Sequence, residues 1–272
     1  MSGVWSDDAL IELLGATADA IAAALDDYRA EHPTGLRDRG DRPGQYALDL
    51  ATDAAARRVL DAAGVGVLSE ESGLHGVDRD VVVVVDPVDG STNASRDIPW
   101  YAASLAAVDG DGLRAAVVAN LATGVRYRAV RGGGATRDGD PIRVSEVTEV
   151  TSAVLVLNGY AGAHGRWKQY RTMGAMALDL CAVADGTFDG SMDCTVDAIN
   201  PWDYLGGALV LTEAGGHLVD IEGRELVTLE PGARRTLVSA GTPQLLDTLL
   251  ETRRALPSGR PSPPGSPSAT GA

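Results

Sequence analysis

The sequence predicts an α/β protein of the α+β kind in two parts: an antiparallel-rich N-terminal sheet flanked by helices, and a smaller α/β C-terminal subdomain. Three observations predict it. Five consecutive valines, Val81 to Val85, suit a strand buried on both faces. Strand-like segments joined by Asp-Gly and Thr-Gly turns follow them, and beyond about Val150 strand-like and helical segments alternate.

From Ser6 to Arg29 the largely apolar residues Leu10, Leu13, Leu14, Thr17, Ile21, Ala24, Leu25 and Tyr28 recur at three- and four-residue spacing. That spacing predicts an amphipathic helix with Ser6 as N-cap and Asp7 and Asp8 in its first turn. A loop rich in Gly, Arg, Asp and Pro over 35–44 ends it, and 49–62 reads as a second helix. Val65 to Leu68 is a short strand leading into Ser69-Glu70-Glu71-Ser72-Gly73, and the valine run passes straight into Asp86. Segments 101–108, 113–120 and 124–130 predict a meander, with another hairpin at Arg137-Asp138-Gly139-Asp140. Gly132-Gly133-Gly134 opens no helix and has no following Lys-Ser/Thr, so a turn between strands is expected there and not a phosphate cradle. In the second part, strands are expected at 153–157, 186–192, 217–220 and 237–240, and helices at 176–184, 202–214 and 243–254. The parts are thus residues 5–150 and 151–255. Segment 256–272 is Pro, Ser and Gly without apolar anchors, the composition of a disordered tail.

In the 272 residues, 38 Asp and Glu outnumber 23 Lys and Arg, a net charge of −15. Such a surface repels phosphate backbones and excludes a general nucleic-acid binder. With 44% hydrophobic residues the chain can bury a sizeable core. No apolar run reaches the ~18 residues needed to span a bilayer, and the N-terminus lacks the basic and apolar regions of a secretion signal. A soluble, cytoplasmic protein with no membrane partner is expected. Cys181 and Cys194 provide neither a disulfide framework nor a zinc cluster and read as small core residues. The only lysine is Lys168. An aspartate-rich, lysine-poor chain fits halophilic adaptation, where ~1 M salt shortens the screening length to ~3 Å; a GC-rich coding bias is the alternative. His32, His75, His164 and His217 are scattered, without ligand spacing.

The chemistry concentrates in Val85-Asp86-Pro87-Val88-Asp89-Gly90-Ser91-Thr92-Asn93. A buried strand ends there in two carboxylates three residues apart. Pro87 fixes the turn, Gly90 permits close backbone approach, and Ser91 opens a helix whose free N–H groups suit an anion. Carboxylates beside such a helix start point to hard cations bridging to a phosphoryl group. Glu70 follows another strand, and Asp203 sits at a helix start in Asn200-Pro201-Trp202-Asp203-Tyr204. Taken singly, each is more often a helix N-terminal charge or cap than a ligand.

These words, with Leu205-Gly206-Gly207-Ala208 and Glu213-Ala214-Gly215-Gly216, resemble the inositol monophosphatase family of magnesium-dependent, lithium-sensitive sugar phosphatases. Ile98-Pro99-Trp100-Tyr101 and Ser104-Leu105-Ala106 are most similar to its archaeal branch, whose members act on inositol monophosphate and fructose 1,6-bisphosphate. The resemblance runs from about Leu10 to Leu250. It implies a layered α-β-α-β-α sugar-phosphatase fold, a homodimer, and two or three Mg²⁺ per site. One ion would sit on Glu70, Asp86 and the Val88 carbonyl, a second between Asp86, Asp89 and Asp203, and a weaker third at Asp49, which reads equally as a helix N-cap. Glu70 and the Ser91 hydroxyl would orient and deprotonate the attacking water, and the Gly90 and Ser91 N–H groups would hold the phosphate.

Some sugar contacts depart from the family pattern. Gly174-Ala175-Met176-Ala177 stands where Gly-Ser-Ala-Ala is common, the acidic sugar contact falls at Val196 with Asp197 beside it, and no lysine precedes Asp49. No Lys or Arg lies between Asp193 and Asp203 to grip a second phosphate, although Arg166, Lys168 and Arg171 form a basic cluster nearby in sequence. The expected substrate is therefore a phosphorylated polyol or sugar, with inositol-like monophosphates ranked ahead of fructose bisphosphate. A nucleotide 3'-phosphatase is disfavoured by Ser91-Thr92-Asn93, and a non-catalytic sugar-phosphate-binding paralogue by retention of the full acidic set.

Overall fold

The computed structural model describes residues 5–42 and 44–256. The expected 256–272 tail lies outside them except for Leu256, which is buried in a hydrophobic cluster and so belongs to the packed chain.

Two helices open the fold, α1 (Asp7–Glu31) and α2 (Ala47–Ala63). Ser6 caps α1 by accepting from the Ala9 N–H. Strands β1 (Gly66–Ser69), β2 (Gly73–His75), β3 (Val82–Asp89), β4 (Ala102–Asp109), β5 (Gly112–Asn120), β6 (Arg126–Val130), β7 (Gly134–Arg137) and β8 (Asp140–Pro141) form one eight-stranded sheet, ordered β2-β1-β3-β4-β5-β6-β7-β8. Only β1 and β3 pair in parallel; every other pairing is antiparallel. A four-residue helix, α3 (Ser91–Ala94), follows β3.

The second sheet, ordered β10-β9-β11-β13-β12, uses β9 (Val154–Asn158), β10 (Gln169–Arg171), β11 (Gly190–Asp193), β12 (His217–Asp220) and β13 (Leu237–Ala240). Helices α4 (Met176–Ala184), α5 (Pro201–Glu213) and α6 (Pro243–Ala255) are the remaining α-helices among the described residues.

Strand alternation explains the layering. Val83 and Val85 join Leu10, Leu14, Ile21 and Leu60 of α1 and α2 in one cluster. Val82 and Val84 face the other way, into a cluster with Leu180 of α4 and Leu205 of α5. Val156 and Leu237 of the second sheet share that central cluster, while Leu155, Val238 and Ala240 pack with Leu245 and Leu249 of α6. The layers are α, β, α, β, α, as the resemblance implied. Gly206 and Gly207 permit the tight central layer: a Cβ at Gly206 would lie 2.8 Å from the Ser104 hydroxyl, and one at Gly207 2.8 Å from the Ala177 carbonyl.

Several boundaries differ from expectation for local reasons. The 186–192 strand begins only at Gly190, because Gly186 has a positive φ and Asp185 accepts from the Thr187 N–H, making a turn. The 124–130 strand begins at Arg126, since the Asn120 side chain accepts from the N–H groups of Ala122 and Thr123. β2 and β10, three residues each, were not foreseen. Gly132-Gly133-Gly134 does form the β6–β7 turn, and the Glu213 carboxylate accepts from the N–H groups of Gly132 and Gly134. Both cysteines are free and buried. No helix among the described residues is long and apolar enough to cross a membrane.

Candidate active site

The end of β3 carries the decisive local feature. Asp86 pairs with Ser104 and Asp89 with Ala102, so three steps along β3 match two along β4. Two residues three apart in a regular strand point to opposite faces; the bulge's extra residue returns Asp89 to the face of Asp86. That face meets the central helices: the Asp89 carboxylate accepts from the Ala177 N–H of α4 at 2.7 Å, and the Trp202 carbonyl of α5 accepts from the Ser104 hydroxyl at 3.1 Å. Asp86 accepts from the Val88 N–H at 3.0 Å, closing the turn on itself.

Glu70 arrives from the neighbouring parallel strand, its N–H donating to the Val85 carbonyl at 3.2 Å. Asp203 arrives from the start of α5, where the Asn200 N–H donates to one of its oxygens at 2.7 Å. Ligand atoms of Glu70, Asp86 and Asp203 all lie within 4.8 Å of one another. Asp89 adjoins this group with one oxygen committed to Ala177. Asp49 is the third residue of α2 and not its N-cap: it accepts from the Tyr46 N–H at 2.9 Å, and its other oxygen is buried without a partner.

Burial, then mutual repulsion, raises the pKa of these acids. Asp86 is pushed well up by burial and by Glu70, Asp89 and Asp203, and Asp89 by burial and Asp203. Glu70 is raised by burial and by Asp203 and Glu71. Asp49 is pushed up to about 7, chiefly by burial, with the Tyr46 N–H opposing. Clustered oxygen donors that destabilise one another's charge, with an orphaned carboxylate oxygen beside them, fit a hard divalent cation.

Gly90 turns the chain out of β3 with φ of 89°, and a Cβ there would lie 3.1 Å from the Ala175 Cβ and from the carbonyls of Gly174 and Trp100. Asn93 locks these walls together by donating to the Trp100 and Met173 carbonyls, both at 2.8 Å. Gly174 through its carbonyl and Ala175 through its Cβ therefore adjoin the Gly90 turn. The Met176 side chain lies in the central core, and Asp197 pairs with Arg224 at 2.6 Å.

A cavity of about 430 Å³ opens over the acids, with Asp49, Glu70, Glu71 and Ser91 among its walls and Asn200 and Trp202 at the α5 side. Its two cationic wall residues, Arg42 and Arg234, were not among the expected site residues, and Arg234 had no signal in its own sequence neighbourhood. Arg42 donates to the Glu70 carbonyl at 3.2 Å and pairs with the Glu71 carboxylate, which Gln45 also contacts. The 35–44 loop could have been flagged by its arginines. Arg166, Lys168 and Arg171 line no part of this cavity.

The inositol monophosphatase family model matches residues 17–258. The chain belongs to the inositol monophosphatase family. Within this family it is 33% identical over 216 residues to a fructose-1,6-bisphosphatase/inositol-1-monophosphatase of Thermococcus kodakarensis, covering 78% of this chain and 84% of the relative. It is 36% identical over 184 residues to the like-named protein of Archaeoglobus fulgidus, covering 66% and 71%. Among solved structures, a hypothetical Pyrococcus horikoshii protein with similarities to inositol-1 monophosphatase superimposes with a TM-score of 0.80 at 25% identity, covering 91% of this chain and 99% of its own. The inositol monophosphatase fold and the archaeal affinity read from the motifs thus stand on independent comparisons.

Proposed function

We propose that this chain is a magnesium-dependent phosphomonoesterase that hydrolyses inositol monophosphate, fructose 1,6-bisphosphate or a related sugar phosphate. The observation that carries the reading is the convergence of Glu70, Asp86 and Asp203 within 4.8 Å beside Ser91 and the Gly90 turn. Glu70, Asp86 and the Val88 carbonyl would hold one ion, Asp86, Asp89 and Asp203 a second, and Asp49, with its orphaned oxygen, a third. Magnesium, when bound, supplies the charge that offsets both the carboxylates and the phosphoryl oxygens, and it acidifies water.

The chain's own groups do the rest. The Gly90 and Ser91 N–H groups bind phosphate oxygens at the start of α3. Glu70 takes a proton from the attacking water, which the Ser91 hydroxyl orients. A bond forms from water oxygen to phosphorus, the bond to the sugar oxygen breaks, and the sugar alkoxide takes up a proton. In this reading residues 5–150 supply the first metal ligands and the phosphate turn, and 151–255 the last ligand and the substrate wall. Gly174 and Ala175 adjoin the Gly90 turn, whereas the Met176 side chain, packed in the core, and Asp197, paired with Arg224, are not among the residues that line the cavity. The same reading takes the enzyme as a cytoplasmic homodimer adapted to high salt.

Phosphate release from inositol 1-phosphate and fructose 1,6-bisphosphate, measured with magnesium and with EDTA at low and multimolar KCl, tests it. Turnover that requires magnesium is expected. Absence of release from every sugar phosphate tried, or release undiminished by EDTA, would overturn it.

A further inference from the structure

Two guanidinium groups share the cavity with its carboxylates, and they are not equivalent. Arg42 is engaged by the Glu71 carboxylate and the Glu70 carbonyl. Arg234 makes no ion pair among the described residues; of its five N–H donors, the only bond found is a 3.3 Å contact from one terminal nitrogen to the Ala198 carbonyl. Arg234 shares the cavity wall with Asp49, Glu70 and the Asn200 that opens α5.

The backbone holds Arg234 there. Arg235 forms an antiparallel bridge with Ile199, its N–H donating to the Ile199 carbonyl at 2.8 Å and its carbonyl accepting from the Ile199 N–H at 3.2 Å. The Arg235 side chain is itself consumed, donating to the Glu225 carbonyl at 2.9 and 2.6 Å. The adjacent residue is therefore presented at the cavity from a fixed anchor, one residue from the Asn200 that caps α5.

We propose that Arg234 binds a second anionic group of the substrate, the distal phosphate of a sugar bisphosphate. The inference rests on the phosphatase reading above and deepens it. A guanidinium with unused donors in an otherwise acidic cavity matches a phosphate in charge and in fork geometry. A neutral polyol offers it no counter-charge. The volume, about 430 Å³, is in the range that holds small ligands. The alternative cations are spent or remote: the Arg171 guanidinium donates to the Tyr170 carbonyl and the Gln169 side chain on the exposed edge strand β10. The missing cation between Asp193 and Asp203 is thus supplied from 31 positions beyond Asp203 (234 − 203), which reverses the expected preference for monophosphates.

Steady-state kinetics of the wild type, Arg234→Gln and Arg234→Lys on fructose 1,6-bisphosphate and inositol 1-phosphate at saturating magnesium test this. In Arg234→Gln the ratio of kcat/KM for bisphosphate over monophosphate should fall about tenfold or more, the loss expected of one charge-assisted hydrogen bond, and through KM. Arg234→Lys should recover part of it. Equal losses on both substrates, or a changed magnesium requirement with the ratio intact, would mean that Arg234 serves only the acidic cluster and overturn the inference. Wild-type protein that hydrolyses neither compound would instead sink the phosphatase reading, and this inference with it.

Discussion

The acidic floor of the cavity and its basic rim are built in different ways. The floor comes from ends of regular structure: a bulged strand carries Asp86 and Asp89, its parallel neighbour delivers Glu70, and a helix start delivers Asp203. Asp86 and Asp89 are buried, whereas Arg42 and Arg234 are exposed and stand on irregular segments. Charge gathered against its own repulsion needs rigid backbone, while groups that meet solvent can be hung on loops.

Asp89→Asn breaks the floor most directly. The side chain is nearly isosteric but loses the charge that would hold a cation, so kcat should fall at least about a hundredfold with the fold intact by circular dichroism. Near-normal turnover at saturating magnesium would contradict the ligand assignment.

Asp179 sharpens the comparison, because it is a buried acid of α4 that accepts from the Trp100 indole at 2.8 Å and lies outside the group of three. Burial pushes it up to about 7, opposed by that hydrogen bond. A carboxyl raised in the fold binds its proton more tightly folded than unfolded. Its contribution to stability is full below pH ~4 and is lost as pH rises through about 7. Asp179→Asn lacks that loss. The unfolding free energy of the variant minus that of the wild type, from denaturant titrations, should grow more positive from pH 4.5 to 8, by up to a few kcal/mol at about 1.4 kcal/mol per unit. A difference independent of pH would show that Asp179 titrates normally.

Gly90→Ala tests the turn that joins the acidic floor to α3. A φ of 89° and three contacts at 3.1 Å, two of them to carbonyl oxygens, leave no relaxed position for a methyl group. A loss of about 1–3 kcal/mol in denaturant unfolding and a roughly tenfold drop in kcat/KM are expected. An unchanged melting curve would show that the 173–176 segment yields easily.

Glu71→Gln loosens the rim on the Arg42 side. It removes the charge that Arg42 pairs with while keeping an acceptor, so a several-fold change in KM with little change in stability is expected. A large stability loss would make that ion pair part of the core.

The outline of the floor was legible in the sequence because each acid follows a recognisable local event: the valine run before Asp86, the strand before Glu70, the Pro-Trp-Asp helix start. The two-part pattern was legible for the same reason, since period-two and helical spacings are local. Boundaries slipped where a side chain made a turn, as at Asn120 and Asp185, because hydrogen bonds to nearby N–H groups compete with strand pairing.

The order of the main helices and strands, the acidic residues and the Gly90 turn were readable from the sequence alone, because all of them are written in short contiguous words. Only the tertiary structure decided that a bulge turns Asp89 to the side of Asp86, that Met176 faces the core, that Asp197 pairs with Arg224, and that Arg42 and Arg234 meet at one cavity. The physical reason is that charge and hydrogen bonding act through space. Loops place their side chains by what the packed layers leave open, and no periodicity along the chain records that.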